Sequence, residues 1–237
     1  MRLDQAIAAR FPHISRRKAR ELIAAGRVLV NQRPVRIASR EVADDAQLTV
    51  AEDVPTLPVL ASTAEWIAID KPAGIPAQPT RDRSTLSAEE ILRVEYRQIF
   101  LVHRLDTPVS GVMLFARTRA AAARFSEWFA GGAMEKVYLA RVRGRVETPS
   151  HIDTPIEGKA ALTMVRPLRE DLVEVRITTG RTHQIRIHLA SIGHPILGDT
   201  RYDGPPAERL MLHAWKLEHA SIGTLEAPPP IHFALHG

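Results

Sequence analysis

One nine-residue segment constrains this chain more than any other. Residues 103–111 read His-Arg-Leu-Asp-Thr-Pro-Val-Ser-Gly, and the apolar run Val112–Ala116 follows directly. Such a run is typical of a buried strand, so the carboxylate of Asp106 lies beside two basic residues at the edge of a core element. Burying charges is costly unless they are paired or used. Asp106 is therefore either half of a structural ion pair with Arg104 or a group that does chemistry.

The composition excludes several classes of protein. The chain has 237 residues, 45% of them hydrophobic and 25% charged, and it has no cysteine. Disulfides, thiolate nucleophiles and cysteine zinc sites are thereby ruled out. No apolar run approaches the roughly 18–20 residues that a membrane span needs, and the first residues do not form a signal peptide. We expect a cytoplasmic protein that makes no membrane contact.

Residues 1–52 form a basic module. Apolar spacing predicts one helix from Leu3 to Phe11, and Ser15 is a good N-cap for a second helix that ends at Gly26. Three short strands are predicted after it, at 28–30, 35–37 and 47–50. From Arg10 to Arg40 there are nine basic residues and one acidic residue. Such a patch fits a surface that binds phosphates, and it also fits a solvated cationic surface.

Residues 53–64 contain two prolines and no helical pattern, which is typical of a linker. Residues 65–237 then mix strands and helices without regular alternation. Strands are predicted at 65–70, 112–116, 137–143 and 172–177, and helices after Ser87, Thr118 and Thr182. This pattern indicates an α+β fold with a mixed, largely antiparallel sheet, preceded by a small α/β domain.

A second polar segment, 180–189, concentrates donors at the start of a predicted helix. It contains Arg181, His183, Gln184, Arg186 and His188. The two histidines are five residues apart, so they do not share a helix face as metal ligands would. The apolar stripe of this helix leaves Arg186 on its border, where it could reach a partly buried carboxylate. The backbone N–H groups at the helix start also favour phosphate.

Tyr138 is the third candidate. It lies in the strand-like segment Lys136-Val137-Tyr138, and a tyrosine there is ordinarily a packing residue. Together with the other two segments it becomes a candidate for stacking or for acid–base chemistry.

These motifs, in this order, resemble the RluA-type RNA pseudouridine synthases. The resemblance rests on Lys71-Pro72-Ala73-Gly74, on 103–106 with Ser110-Gly111, on 136–138, on 180–186, and on 192–199 with Tyr202 and 212–214. Val109 departs from the pattern, which usually has threonine there. The first 52 residues resemble the RNA-binding domain named after small-subunit ribosomal protein four, on Arg2-Leu3-Asp4, 15–23 and 26–31.

The resemblance implies an isomerase that turns uridine into pseudouridine in RNA, without a cofactor or metal. It assigns Asp106 as the attacking carboxylate, Arg186 as the cation that keeps it ionised, and Tyr138 as the group that stacks on the base and helps to transfer protons. It also implies that Arg104 fills the space left by the flipped nucleotide. We assign His103 a structural role.

RNA contacts are predicted from both domains. The residues concerned are Arg104, Arg181, His183, Gln184, Arg16, Arg17, Lys18, Arg20 and Arg27. Large-subunit ribosomal RNA is the preferred substrate, transfer RNA is the alternative, and a monomer is expected. A non-catalytic RNA-binding or ribosome-assembly protein is the rival function, since the basic patch fits it equally well. A hydrolase is disfavoured because the chain has no Gly-x-Ser-x-Gly motif.

Overall fold

The structure is a computed structural model, and it describes residues 1–24, 26–50, 55–81 and 85–233. The chain divides into two compact units. The first comprises Met1–Leu57 and Pro76–Ile99, and the second comprises Pro58–Ile75 and Phe100–Gly237. This division differs from the predicted boundaries 1–52, 53–64 and 65–237, because residues 76–99 pack with the first unit. Residues 53 and 54 of the predicted linker lie outside the described residues.

The first unit begins with two helices, α1 (Leu3–Arg10) and α2 (Arg16–Ala24). Ser15 accepts a hydrogen bond from the Lys18 N–H, and Gly26 ends the α2 region at a φ of +76°. Three short strands follow, β1 (Val28–Val30), β2 (Arg33–Pro34) and β3 (Leu48–Val50), in the order β2-β1-β3. The strand predicted at 35–37 thus lies two residues earlier, since its pairing with β1 begins at Arg33.

Helix α3 (Ala88–Glu95) completes the first unit. Ser87 forms the predicted capping box with Glu90, in which each side chain satisfies a backbone N–H of the other residue. The apolar face of α3 explains why this segment packs with the first unit: Val94 and the partly buried Leu86 lie against Leu29 of β1. That contact joins residues more than fifty positions apart, and local sequence patterns do not reveal it.

The second unit is built on one large mixed sheet. Its strands are β4 (Val59–Ser62), β5 (Trp66–Lys71), β6 (Phe100–Leu101), β7 (Ser110–Ala116), β8 (Glu135–Arg141), β9 (Ser150–Ile152), β10 (Thr163–Arg169), β11 (Leu172–Ile177), β12 (Leu212–His219) and β13 (Gly223–Glu226). The order is β4-β5-β7-β12-β8-β11-β10-β9, with β6 on β7 and β13 on β12. Of the described strand pairs only β7 and β12 are parallel, so the predicted mixed, largely antiparallel sheet is confirmed.

Two helices and a short 3-10 turn (Ile231–Phe233) accompany the sheet. Helix α4 (Arg119–Ala130) has the predicted cap, since Thr118 accepts a hydrogen bond from the Ala121 N–H. Helix α5 (Gln184–Ser191) begins one residue later than predicted. Its N-cap is His183 and not Thr182, and the His183 backbone is left-handed, with φ 56° and ψ 22°.

Candidate active site

The segment that carries Asp106 is a loop between β6 and β7, and its backbone is fastened from one side. The buried Lys71 ammonium donates to the carbonyl oxygens of Pro72 (2.9 Å), Ile75 (2.7 Å) and Thr107 (3.3 Å). The Gly74 N–H donates to the same Thr107 oxygen at 2.8 Å. The Lys71-Pro72-Ala73-Gly74 motif therefore holds the backbone of Thr107, the residue that follows Asp106, through two hydrogen bonds to its carbonyl oxygen.

Gly111, at the end of the motif, allows β7 to approach β12 closely. A Cβ atom at this position would lie 2.1 Å from the Ala214 carbonyl oxygen, and the Gly111 φ is +118°. Only glycine fits such a site. The close approach sets the parallel pairing of Ser110 with His213 and of Gly111 with Ala214, and this pairing fixes where the loop leaves the sheet.

The Asp106 carboxylate lines a cavity of about 520 Å³, a size ordinary for a ligand site. Its side chain is 26% exposed. The Arg186 Nη1 donates to Asp106 Oδ2 at 3.3 Å, and the His183 Nε2 lies 3.5 Å from the same oxygen. The carboxylate thus faces the cavity with one oxygen held by a permanent cation.

Arg186 lies between two carboxylates. Its Nε and Nη2 donate to Asp199 at 2.7 and 2.8 Å, which leaves Nη1 for Asp106. Burial alone would lower the pKa of Arg186, but the two carboxylates outweigh it and raise the pKa. Asp199 is itself 1% exposed. Sequence reasoning gave Asp199 no role, although the Gly198-Asp199 pair and Tyr202 belong to the motif that carries the resemblance.

Tyr138 lies on β8, opposite Val175 and Ala214, and its ring lines the cavity. It is 8% exposed. Burial, assisted by the Asp106 charge, raises the pKa of Tyr138 far above neutral pH. Tyr138 is therefore a neutral phenol that can stack or share a proton, and it is not a resident phenolate. The structure thus brings Asp106, Tyr138 and Arg186 to one cavity.

Lys136 is a cavity residue that sequence reasoning left without a role. Its Nζ donates to the Thr178 carbonyl oxygen at 3.0 Å and lies 5.8 Å from the centre of the Phe129 ring. Burial lowers the pKa of Lys136 to about 8, and the nearby Arg181 adds to the effect. An ammonium of this kind adds positive charge to the cavity wall, which favours an anionic group of a ligand.

The predicted RNA contacts of the cavity differ in their surroundings. Arg104 is exposed, and the Arg181 Nε donates to the Ala160 carbonyl oxygen while the residue lines the cavity. Gln184 departs from the prediction, since it is 3% exposed and its amide already bonds to Thr179, Arg181 N–H, Leu162 and Thr163. An RNA contact from Gln184 would require these bonds to break.

The first unit carries the other predicted contacts, and they are all exposed: Arg16, Arg17, Lys18, Arg20 and Arg27. Arg16 and Arg20 are organised by a buried carboxylate. Their Nε atoms donate to Asp4 at 3.0 and 2.9 Å, and the Arg2 Nε donates to it at 3.1 Å. Because both helical arginines bond through Nε, their terminal nitrogens stay at the surface, where the two side chains are 45% and 53% exposed.

Comparison with known proteins decides the identity of this arrangement. The family model described as RNA pseudouridylate synthase matches residues 65–191, and the S4 domain model matches residues 1–48. The chain belongs to the RNA pseudouridylate synthase family. Its activity is accordingly the isomerisation of uridine to pseudouridine in RNA, and the predicted function class is confirmed.

Members of this family from bacteria resemble the chain over most of its length. An uncharacterized RNA pseudouridine synthase of Helicobacter pylori (strain J99) is 33% identical, over 94% of this chain and 95% of the relative. The ribosomal large subunit pseudouridine synthase D of Yersinia pestis is 30% identical, over 86% and 74%. The tRNA pseudouridine synthase C of Haemophilus ducreyi is 34% identical, over 72% and 88%.

The family fold is also present in a solved structure, that of human RNA pseudouridylate synthase domain containing 1. It superposes with a TM-score of 0.65 at 25% identity, over 77% of this chain and 86% of the human chain. Among the described residues of this synthase, no group of three or more His, Asp or Glu side chains could hold a metal ion. None of the described helices has the length and apolar character that a membrane crossing requires.

Proposed function

We propose that this synthase modifies a uridine of large-subunit ribosomal RNA, with Asp106 as the group that attacks the substrate. The observation that carries the proposal is the cavity-facing Asp106 carboxylate with Oδ2 bonded to Arg186. A carboxylate that accepts a hydrogen bond from a permanent cation, in the same cavity as a neutral phenol, suits a reaction that needs a nucleophile and a proton carrier at the same nucleotide.

The reaction exchanges bonds within one nucleotide. The bond from ribose C1′ to uracil N1 breaks, the base turns, and C1′ bonds to C5, while the proton of C5 leaves and N1 gains one. Asp106 assists by attack at the sugar or at the ring, and Arg186 balances its charge. Tyr138 stacks on the base and shares the proton. No oxidant or reductant is needed, and we propose that neither a metal nor an organic cofactor takes part.

The remaining predicted residues hold the RNA. We propose that Arg104, exposed on the motif loop, fills the space left when the target uridine leaves its stack, which costs a few kcal/mol. Arg181 and His183 would contact the nucleotide in the cavity. Arg16, Arg17, Lys18, Arg20 and Arg27 would bind phosphates of a structured RNA through the first unit. One chain supplies every group named here, which favours a monomer. We propose that the enzyme acts in the bacterial cytoplasm, because that compartment holds such RNA.

Ribosomal RNA is preferred because the Yersinia pestis large-subunit enzyme matches 86% of this chain. The match to the tRNA enzyme of Haemophilus ducreyi has a higher identity, 34%, but it extends over a smaller share of this chain, 72%. Transfer RNA is therefore the second candidate. Primer extension after carbodiimide treatment, on RNA from cells with and without the gene, distinguishes them. A stop lost from large-subunit RNA supports the proposal, and a stop lost only from a transfer RNA overturns the substrate assignment.

The catalytic assignment has its own test. Asp106→Asn is isosteric and removes the negative charge, so we expect tritium release from RNA with 5-tritiated uridine to fall by roughly 10³-fold or more. Asp153→Asn is the control, because it neutralises an exposed carboxylate of the same unit. If the Asp106→Asn enzyme released tritium at the wild-type rate, Asp106 would not be the attacking group.

A further inference from the structure

Two side-chain nitrogens, from Arg186 and His183, approach the same oxygen of Asp106. Arg186 Nη1 lies 3.3 Å from Oδ2, and His183 Nε2 lies 3.5 Å from it. No hydrogen bond between described residues ends on Oδ1. The two oxygens of this carboxylate are therefore inequivalent, since one is anchored by protein groups and the other is available to a substrate.

The loop 198–204 supports both donors. Asp199 of this loop holds the Arg186 guanidinium, and the Tyr202 hydroxyl lies 2.9 Å from His183 Nδ1. The Tyr202 N–H bonds back to the Asp199 carbonyl oxygen at 3.2 Å, which ties the two supporting residues together. Gly198 permits the turn, because a Cβ there would lie 1.9 Å from the Arg209 carbonyl oxygen.

His183 occupies a costly backbone conformation. Its φ of 56° and ψ of 22° place it in the left-handed region, which only a few per cent of residues other than glycine adopt. Strained backbone of this kind persists where the surroundings require it, and it clusters at functional sites. The conformation turns the imidazole so that one nitrogen faces Tyr202 and the other faces Asp106.

Charge selects the tautomer of His183. Burial lowers the pKa of this imidazole, and although the Asp106 charge opposes that effect, the pKa stays below its ordinary value. In the neutral ring one nitrogen carries the proton and the other accepts. A lone pair on Nε2 would face the negative Asp106 oxygen, whereas an Nε2–H is attracted to it. The Tyr202 hydroxyl then donates to Nδ1, and the proton is fixed on Nε2.

We propose that Tyr202 and His183 are positioning residues that, with Arg186, hold Oδ2 of Asp106 and leave Oδ1 as the oxygen that attacks the substrate. The proposal rests on the proposed role of Asp106. The 3.5 Å separation exceeds a normal hydrogen bond, and contacts of this kind shorten when the substrate binds. Tyr202 fixes the His183 proton, His183 orients the carboxylate, and neither residue exchanges bonds with the substrate.

Two substitutions at His183 give opposite expectations for a structural and a positioning role. Asparagine tolerates a positive φ better than glutamine, so a purely structural role predicts that His183→Asn is at least as active as His183→Gln. The glutamine amide reaches the place of Nε2, whereas the asparagine amide reaches only that of Nδ1. We expect kcat to fall roughly 10–100-fold in His183→Asn and to be partly restored in His183→Gln.

Tyr202→Phe tests the contact by which Tyr202 supports His183. It removes the hydroxyl that donates to Nδ1, and we expect kcat to fall about tenfold, the equivalent of one hydrogen bond. Tyr96→Phe is the matched control, since Tyr96 belongs to the first unit and does not line the cavity. Equal activities of His183→Asn and His183→Gln, or full activity of Tyr202→Phe, would overturn the proposal while leaving the assignment of Asp106 intact.

A spectroscopic measurement is independent of turnover. Nitrogen-15 spectra of the full labelled chain, assigned by the signals lost in His183→Gln, should show His183 protonated at Nε2 in the wild type. In Tyr202→Phe the signals should move towards a mixture of tautomers. A wild-type His183 protonated at Nδ1 contradicts the proposal even if the enzyme is fully active. Inactive wild-type enzyme with the expected tautomer would instead count against the proposed function.

Discussion

His103 shows how one residue of the motif serves the fold. Its Nε2 accepts a hydrogen bond from the Leu114 N–H at 2.9 Å, and its ring stacks on Phe129 with 4.2 Å between the ring centres. Burial lowers the pKa of His103 to about 3, and the charge of Lys136 adds to the effect. The imidazole is therefore neutral in the folded protein, as an acceptor of a backbone N–H must be.

This contact predicts a loss of stability in acid. Below pH 6.5 the unfolded chain binds a proton at His103, while the folded protein remains unprotonated down to about pH 3. Stability is thus complete above pH 6.5 and declines as the pH falls towards 3. Between pH 7 and pH 5 we expect a loss of about 2 kcal/mol from this residue. Urea unfolding at both values measures it, with His103→Gln expected to reduce the difference.

The exposed His151 provides the comparison. His151→Gln should leave the difference between pH 7 and pH 5 as in the wild type. His213, whose pKa burial lowers to about 4, contributes a further decline that both variants retain. If the free energy of unfolding changed between pH 7 and pH 5 by the same amount in His103→Gln as in the wild type, the His103 imidazole would titrate alike in the folded and unfolded chains.

At the scale of elements, the contact between β7 and β12 decides where the catalytic loop begins. Gly111→Ala would drive a methyl group into the Ala214 backbone, with 2.1 Å to its carbonyl oxygen. We expect the free energy of unfolding to fall by more than about 3 kcal/mol, in the range of the most severe single substitutions. Gly144→Ala is the control, since its φ is also positive, at 67°, and nothing lies within 4 Å of the added atom.

Chemical denaturation of the two variants separates crowding from backbone strain. Gly144→Ala should lose about 1 kcal/mol, the cost of a left-handed alanine. A Gly111→Ala protein no less stable than Gly144→Ala would mean that β7 and β12 can move apart without cost. The position of Asp106 would then not depend on this strand pair.

Elements with local signals are the ones that the sequence predicts well. Ser15, Ser87 and Thr118 begin their helices as expected, because a cap needs only a side chain and an N–H two or three residues away. Strand β4 falls within the segment that the sequence predicts as a linker, because it forms by pairing with β5 and has no local pattern of its own. The start of α5 differs from the prediction because His183, and not Thr182, is the N-cap and has a left-handed backbone conformation.

The same distinction holds for the site. Asp106, Tyr138 and Arg186 could be expected to meet because ordered motifs carry a resemblance to a known family. The roles of Asp199 and Tyr202 could not be predicted, since they depend on hydrogen bonds to residues 13 to 19 positions away across a loop. The internal bonds of the Gln184 amide could not be predicted either, since they join it to Thr163 of β10, 21 residues earlier in the chain.

At the scale of the whole molecule, the buried carboxylate of Asp4 holds arginines of the basic surface of the first unit in place. The chain has a formal net charge of +5. Burial alone would raise the pKa of Asp4, but hydrogen bonds from Arg20, Arg2 and Arg16 outweigh it and hold the pKa well below its usual range. Asp4 therefore remains ionised, and it fixes arginines that would otherwise lose side-chain entropy when RNA binds.

This arrangement predicts an unusual effect on RNA binding. Asp4→Asn makes the chain more positive, and simple attraction would strengthen its binding to RNA. We expect the reverse, an affinity lower by roughly three- to tenfold, because Arg16 and Arg20 are no longer held in place. Fluorescence anisotropy with a structured ribosomal RNA fragment and the full-length chain, over a series of salt concentrations, measures the change.

Glu21→Gln is the matched variant, since it adds the same charge at an exposed position of α2. Its affinity should equal or exceed that of the wild type, and circular dichroism of both variants checks that the helices persist. If Asp4→Asn, folded, bound RNA as tightly as Glu21→Gln, the three arginines would act through charge alone. A weaker Asp4→Asn beside a normal Glu21→Gln would instead place their arrangement, as well as their charge, in the RNA contact.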